Sequence, residues 1–278
     1  MSNTNTYRAV LRYPGSKWRI AKQLCDMIPE HKSYLEPYFG SGAVFFTKQP
    51  SRIETINDLN LDVVNLFSCL QKDPEKLASM IYATPYSRYL YEQQSISIPV
   101  MGPYQKALSF LIRCWMGHGY RTNSYKNGWK NDIQGREKAY AVLNWNRLPG
   151  WVLSAAERLK DAQIDCRPAL DLIERFNYED VFMYVDPPYL LSTRYSKQYL
   201  HELDEKDHEQ LLDILLVSKS KVMVSGYASS LYDQKLSGWE RVELKSQAES
   251  GRAVTEVVWM NYYPPKGSYV QQQLKLDD

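Results

Sequence analysis

The chain lacks the ~18 consecutive apolar residues of a membrane span, and its start, Met1-Ser2-Asn3-Thr4-Asn5-Thr6, has no basic-then-apolar order of the kind a secretory leader needs. Cysteine is scarce. Cys25, Cys69, Cys114 and Cys166 stand 44, 45 and 52 residues apart with no CxxC pair, and the four histidines show no ligand spacing. Neither a disulfide framework nor a metal site is expected, and a reduced, cytoplasmic setting is. With only 13 Gly and 14 Pro in 278 residues, collagen-like and low-complexity readings are excluded. The net charge of +2 names no partner. Two phosphate-binding signatures are also missing: residue 45 is Phe where GxGxxG needs Gly, and no GxxxxGK[ST] spacing occurs.

What is present is unevenly distributed. Residues 100–160 hold ten Lys/Arg against three Asp/Glu, a local charge of +7 against −5 for the remainder. The same stretch carries Trp115, Trp129, Trp145, Trp151 and four tyrosines. Cations interleaved with flat rings suit a phosphate backbone and exposed bases. The competing reading is a solvated helical insert whose tryptophans are core.

Periodicity predicts alternating strands and helices on both sides of that stretch. Helices are expected over 16–28 with Ser16 as cap, from Ala43, over 60–70, and over 73–82 behind the Asp73-Pro74 start. Strands are expected over 34–36 and 52–57. The pattern loosens between 86 and 160, where one helix is expected over 105–116 and another is expected to begin after Pro149. It returns with strands over 162–166 and 181–185, helices over 168–176 and 204–217, and closing strands over 221–225, 240–244 and 256–262. Such alternation implies an α/β, mostly parallel sheet with ligands at the carboxyl ends of its strands, and the closing strands imply an antiparallel edge. The expected division is an α/β unit of residues 1–85 and 161–278 interrupted by a smaller, mainly helical insert at 86–160.

Three clusters carry chemistry. Glu36-Pro37-Tyr38-Phe39-Gly40-Ser41-Gly42 is a strand ending in an acid, a glycine turn and a helix start, the layout of a nucleotide pocket. Asp58 follows Glu36 by 22 residues at the end of the next strand, where an acid can accept both hydroxyls of a ribose; a helix cap is the alternative. Third, the apolar run Val181–Val185 delivers Asp186-Pro187-Pro188-Tyr189. The prolines fix the backbone and lack N–H groups, so an acid and a free carbonyl stand ready to accept from an amino group beside an aromatic ring.

The Asp186–Tyr189 tetrapeptide resembles the catalytic motif of amino-group DNA methyltransferases, and the motif order resembles that of the Dam-like, D12-class adenine-N6 enzymes, especially the orphan enzymes of phages and prophages. Tyr13-Pro14-Gly15-Ser16-Lys17 is similar to that family's N-terminal cofactor motif, with Tyr13 where many relatives have Trp, and residues 36–42 are similar to its EPFxGxG motif. Residues 164–170, including Asp165, are similar to the strand end beside the cofactor adenine, and 225–227 and 256–259 to later motifs. The resemblance implies a Rossmann-like catalytic domain over 1–85 and 161–278 with a DNA target-recognition insert at 86–160, and S-adenosylmethionine as donor, with Tyr13, Lys17, Glu36, Gly40, Gly42, Asp58, Asp165 and Asp186 around it. It implies Asp186, Pro187 and Tyr189 as the catalytic group acting on an adenine flipped from double-stranded DNA. Arg113, Arg121, Lys126, Lys130 and Arg136 of the insert are the candidate DNA contacts. Rival expectations are methylation of cytosine N4, RNA or a protein glutamine, or a catalytically inactive nucleic-acid-binding module.

Overall fold

The structure, a computed structural model, describes residues 7–94, 101–119, 127–133, 140–194, 197–247 and 253–265. The β-branched and aromatic runs form strands: β1 (Ser33–Glu36), β2 (Ile53–Asn57), β3 (Ala162–Asp165), β4 (Val181–Val185), β5 (Lys221–Gly226), β6 (Glu240–Gln247) and β7 (Ala253–Met260). They make one sheet in the order β3-β2-β1-β4-β5-β7-β6. Neighbours from β3 to β5 are parallel, whereas β7 runs antiparallel to both β5 and β6, which is the expected antiparallel edge.

Side chains alternate between two buried layers, as the pleat requires. Tyr34, Ile56, Phe182, Tyr184 and Val258 face one core. Leu35, Val181, Met183, Val185, Val224 and Trp259 face the other. The first layer is covered by α1 (Ala21–Asp26), α2 (Ala43–Thr47), α3 (Leu61–Lys72), α4 (Pro74–Tyr82), α5 (Arg88–Glu92), α6 (Pro103–Met116) and α7 (Tyr140–Leu159). The second is covered by α8 (Ala169–Arg175), α9 (Glu205–Leu216) and α10 (Ser230–Lys235).

Several local expectations are corrected. Ser16 does not cap a helix; its hydroxyl pairs with that of Ser41 at 2.8 Å, and α1 starts only at Ala21. Asp58 is not the cap of α3, a role taken by the Asn60 side chain, which accepts from the Asp62 N–H at 2.9 Å. Pro149 does not open a helix but lies inside α7. An interior proline costs about 3 kcal/mol, but Trp145, Leu148, Val152 and Leu159 on both sides of it are all buried, each contributing ~1.5–3 kcal/mol.

Residues 86–160 contribute α5, α6 and α7 to the first layer rather than a core of their own among the described residues. Trp115 and Trp145 are buried, donating their indole N–H to the carbonyls of Val10 and Thr84 at 2.9 and 2.7 Å. These two rings are core, so they are not available for stacking on bases.

Candidate active site

The sheet order reverses direction between β1 and β4: from β1 the chain proceeds outward to β2 and β3, from β4 to β5. A crevice opens at such a switch point beyond the carboxyl ends of the strands. Glu36 ends β1 and Asp186 follows β4, so the two acids flank that crevice. A cavity of 230 Å³ lies there, lined among others by Tyr13, Lys17, Glu36, Gly40, Asp58 and Asp186. Six of the eight expected cofactor contacts are thereby brought together from four separate stretches of chain.

The other two stand back from the wall. Gly42 has φ +66 and a Cβ there would lie 2.3 Å from the Phe39 ring, so its role is to let α2 start against that ring. Asp165 accepts from the Cys166 N–H at 2.8 Å and pairs with Arg167 at 3.3 Å; the wall beside it is formed by Arg167, Pro168, Ala169 and Leu170.

The glycine turn is shaped for close approach. Gly40 has φ +49, and a Cβ on it would come within 2.9 Å of the Tyr13 ring. Its N–H donates to Asp58 Oδ2 at 2.8 Å, and the Asn60 N–H donates to Oδ1 at 2.8 Å. Burial pushes the Asp58 carboxyl up to about 6 despite these donors. Glu36 is more extreme. Burial pushes it up to about 8, opposed by the hydroxyl of Tyr34, which donates to its Oε2 at 2.7 Å. Acids so placed favour a cationic ligand, which would offset their desolvation. A cationic ligand that carries a diol fits these acceptors.

Asp186 sits in a dense polar network. The Lys17 ammonium donates to its Oδ1 and Oδ2 at 2.8 and 2.9 Å and to the Gly15 carbonyl at 2.7 Å. Burial pulls the Lys17 pKa down, but the charges of Asp186 and Glu256 outweigh it and hold the ammonium above its usual value. Ser225 Oγ donates to Asp186 Oδ1 at 3.0 Å and is itself paired with the Tyr184 hydroxyl at 2.8 Å. Tyr189 is buried, its hydroxyl donating to Glu256 and its ring 4.6 Å from that of Tyr227. Tyr199 packs against Tyr13 with ring centroids 6.0 Å apart. Sequence reasoning did not assign Glu256, Ser225, Tyr184 or Tyr199 to the site. The available signals were the similarity of residues 225–227 and 256–259 to later family motifs and the acid Glu256 ahead of an apolar strand end, Val257-Val258-Trp259-Met260.

The insert candidates are dispersed. Arg113 pairs with Asp62 at 2.7 Å and ties α6 to α3. Lys130 lies over the Tyr140 ring, 5.6 Å from its centroid. Arg121, Lys126 and Arg136 lie outside the described residues.

A family model described as D12 class N6 adenine-specific DNA methyltransferase matches residues 13–249. The chain is 24% identical, over 94% of its length and 97% of the relative's, to the type II methyltransferase M1.LlaDCHI of Lactococcus lactis subsp. cremoris. It is 23% identical to the DNA adenine methylase of Salmonella typhi, over 81% of this chain and 82% of that one. A shorter similarity, 26% identity over 38% of this chain and 14% of the relative, links it to the DNA N-6-adenine-methyltransferase of Escherichia phage P1. The family match begins at the tyrosine under Gly40 and runs beyond β6, enclosing Asp58 and Asp186 alike, and the chain belongs to the D12 class of N6 adenine-specific DNA methyltransferases.

Proposed function

We propose that Asp186 and the Pro187 carbonyl accept the two N–H bonds of the target adenine's exocyclic amine, with the base flipped out of double-stranded DNA and laid against Tyr189. The protein transfers a methyl group from S-adenosylmethionine to adenine in DNA. The observation that carries the assignment is the position of Asp186: an acid leaving the central strand β4 at the switch point, on the wall of the cavity.

Bound S-adenosylmethionine supplies an electrophilic methyl group on a sulfonium; all else falls to the chain. The amine lone pair of adenine is delocalised into the ring and is a poor nucleophile. Two acceptors at Asp186 and Pro187 pull the nitrogen toward tetrahedral geometry, localise the pair and disperse the positive charge that grows during attack. Orientation supplies much of the remaining acceleration. Asp58 holds the ribose hydroxyls, Glu36 faces the cationic portion of the donor, and Tyr13 with Gly40 shapes the floor. No described helix is long and apolar enough to cross a membrane; a DNA substrate puts the reaction in the cytoplasm of a bacterial or phage-infected cell. Residues 1–85 and 161–278 carry the catalytic groups, while 86–160, whose helices complete the first layer, carries the main DNA contact on its loops, Lys130 with Arg121, Lys126 and Arg136 meeting phosphates.

The test uses radiolabelled S-adenosylmethionine, DNA and digestion to nucleosides. Label in N6-methyladenine is expected, and label in methylcytosine would select the N4 reading. Asp186→Ala should leave a folded protein with turnover down by at least ~10²-fold, because the lost acceptor acts mainly in the transition state. Near-normal turnover would remove Asp186 from the mechanism.

A further inference from the structure

In this structure the Lys17 ammonium occupies both oxygens of Asp186. Oδ1 accepts from both Lys17 and Ser225, which fills its two lone pairs, and leaves Oδ2, itself shared with the ammonium, as the open acceptor. If Asp186 is the amine acceptor, an ammonium that loosens its hold leaves Oδ2 the stronger acceptor for adenine. Moving a buried ammonium away from its counter-ion is costly unless another carboxylate takes it.

Glu256 is that carboxylate. It is 4% exposed on β7, whose antiparallel pairing sets Val257 opposite Gly226 and so brings Glu256 to the same end of the sheet as Asp186. Its Oε1 lies 3.4 Å from Lys17 Nζ, close enough for a small swing of the ammonium, pivoting on the Gly15 carbonyl, to make a full hydrogen bond. The same carboxylate accepts the hydroxyl of Tyr189. One cation thus lies between a buried acid, Glu256, and a half-buried one, Asp186.

We infer that Glu256 is a positioning residue for methyl transfer: it receives the Lys17 ammonium as Asp186 receives the adenine amine, and it anchors Tyr189 throughout that exchange. The inference rests on the reading of Asp186 as acceptor. No bond is made or broken in the exchange; one ammonium changes partner and its charge stays compensated. A purely structural tie to Tyr189 would need only a neutral acceptor, so the charge of Glu256 is the distinguishing property.

The ionisation of Glu256 supports this. Burial pushes its carboxyl up to about 7, with Lys17 pulling down and Asp186 pushing up. The groups facing it are Lys17 from the N-terminal loop, Tyr184, Asp186 and Tyr189 from β4 and its exit, and Tyr199 from the following loop. As Glu256 must be ionised to receive the ammonium, kcat should fall as pH drops through neutrality.

The experiment compares wild type, Glu256→Gln, Glu256→Asp and Asp186→Ala, measuring kcat from pH 5.5 to 8.5, S-adenosylmethionine affinity by calorimetry, and melting temperature. Glu256→Gln keeps an acceptor for Tyr189 and removes the charge. It should lower kcat by up to ~10²-fold at pH 8, the loss that a misplacement of about 1 Å can cause, change cofactor affinity by less than about threefold, and abolish the fall of kcat near neutrality. Glu256→Asp should restore part of the rate together with that fall. Wild-type kcat in Glu256→Gln would overturn the inference. So would equal losses of kcat and melting temperature with an unchanged pH profile, which would mark Glu256 as structural. Near-normal turnover in Asp186→Ala would instead defeat the underlying reading of the acceptor.

Discussion

Gly40 and Asp58 are joined by a hydrogen bond of 2.8 Å from the glycine N–H to Oδ2, so the glycine turn on the cavity wall and the acid proposed to hold the cofactor ribose form one unit. Asp58→Ala is expected to weaken S-adenosylmethionine by ~1.5–3 kcal/mol, the range for hydrogen bonds to a charged group. Titration calorimetry measures this directly; unchanged affinity would place the ribose elsewhere.

The buried acids set a pH dependence of stability in the cofactor-free protein. Glu36, Glu256 and Asp58 are raised to about 8, 7 and 6, above their unfolded values. The folded chain therefore holds protons that the unfolded chain releases, and stability falls as pH rises toward 8. His208 acts oppositely. Burial lowers it to about 4, so its contribution is lost as pH falls from its unfolded value of 6.5 toward 4. Melting temperature should accordingly rise on acidification from pH 8.5 to 6.5, and Glu36→Gln should flatten that slope. A scan in which melting temperature increases over the same interval toward alkaline pH would contradict the assignment.

A second buried charge cluster lies outside the cavity lining. Glu54 on β2 is paired with both Lys48 and Arg158, and all three are buried. Removing the shared acid leaves two buried cations facing each other. Glu54→Gln should cost ~3–5 kcal/mol of unfolding free energy, as for other broken buried pairs. Urea unfolding followed by circular dichroism gives the number; a loss under 1 kcal/mol would mean that water reaches the pair.

The basic stretch is tested through salt. Neutralising Arg121, Lys126 and Lys130 together should weaken binding to all DNA sequences and lower the slope of log affinity against log salt by up to ~3, one unit for each lost phosphate contact. Cofactor affinity should not change. A full salt slope in the triple variant would make these side chains a solvated face, whereas weakening confined to one preferred sequence would make them base readers.

The parts of the fold that could be read in the sequence are those where a local rule and the tertiary structure agree. Val181–Val185 is buried at all five positions, and the run of apolar residues says so directly. Asp73 and Pro74 announce α4, and the Asp73 side chain does accept from Lys76 at 3.0 Å. Local rules failed where distant contacts decide. The Ser16 hydroxyl has a better partner in Ser41 than in its own helix start. Pro149 is carried through α7 by the core on either side of it. The short α10 was missed because it is held in place by Tyr232, whose hydroxyl meets the buried His208 at 2.7 Å. In the site, strand-end acids were legible from their spacing. The Lys17–Glu256 contact was not, because it depends on β7 running antiparallel in the one register that brings an acid beside Asp186.

The pairing of β1 with β4 has a consequence for how the enzyme is made. Lys17 and Asp186 are 169 positions apart, and the central strand β4 reaches its place only after β1, β2 and β3 have been synthesised. Until then, β1 presents an open edge to solvent, with Tyr34 and Leu35 waiting for their layer partners. Closing a loop of that length is entropically slow, and an unpaired apolar edge is what other chains add to. The nascent chain therefore lacks the proposed amine acceptor and exposes the β1 edge over the same interval of translation, and β4 supplies the pairing and the acid together.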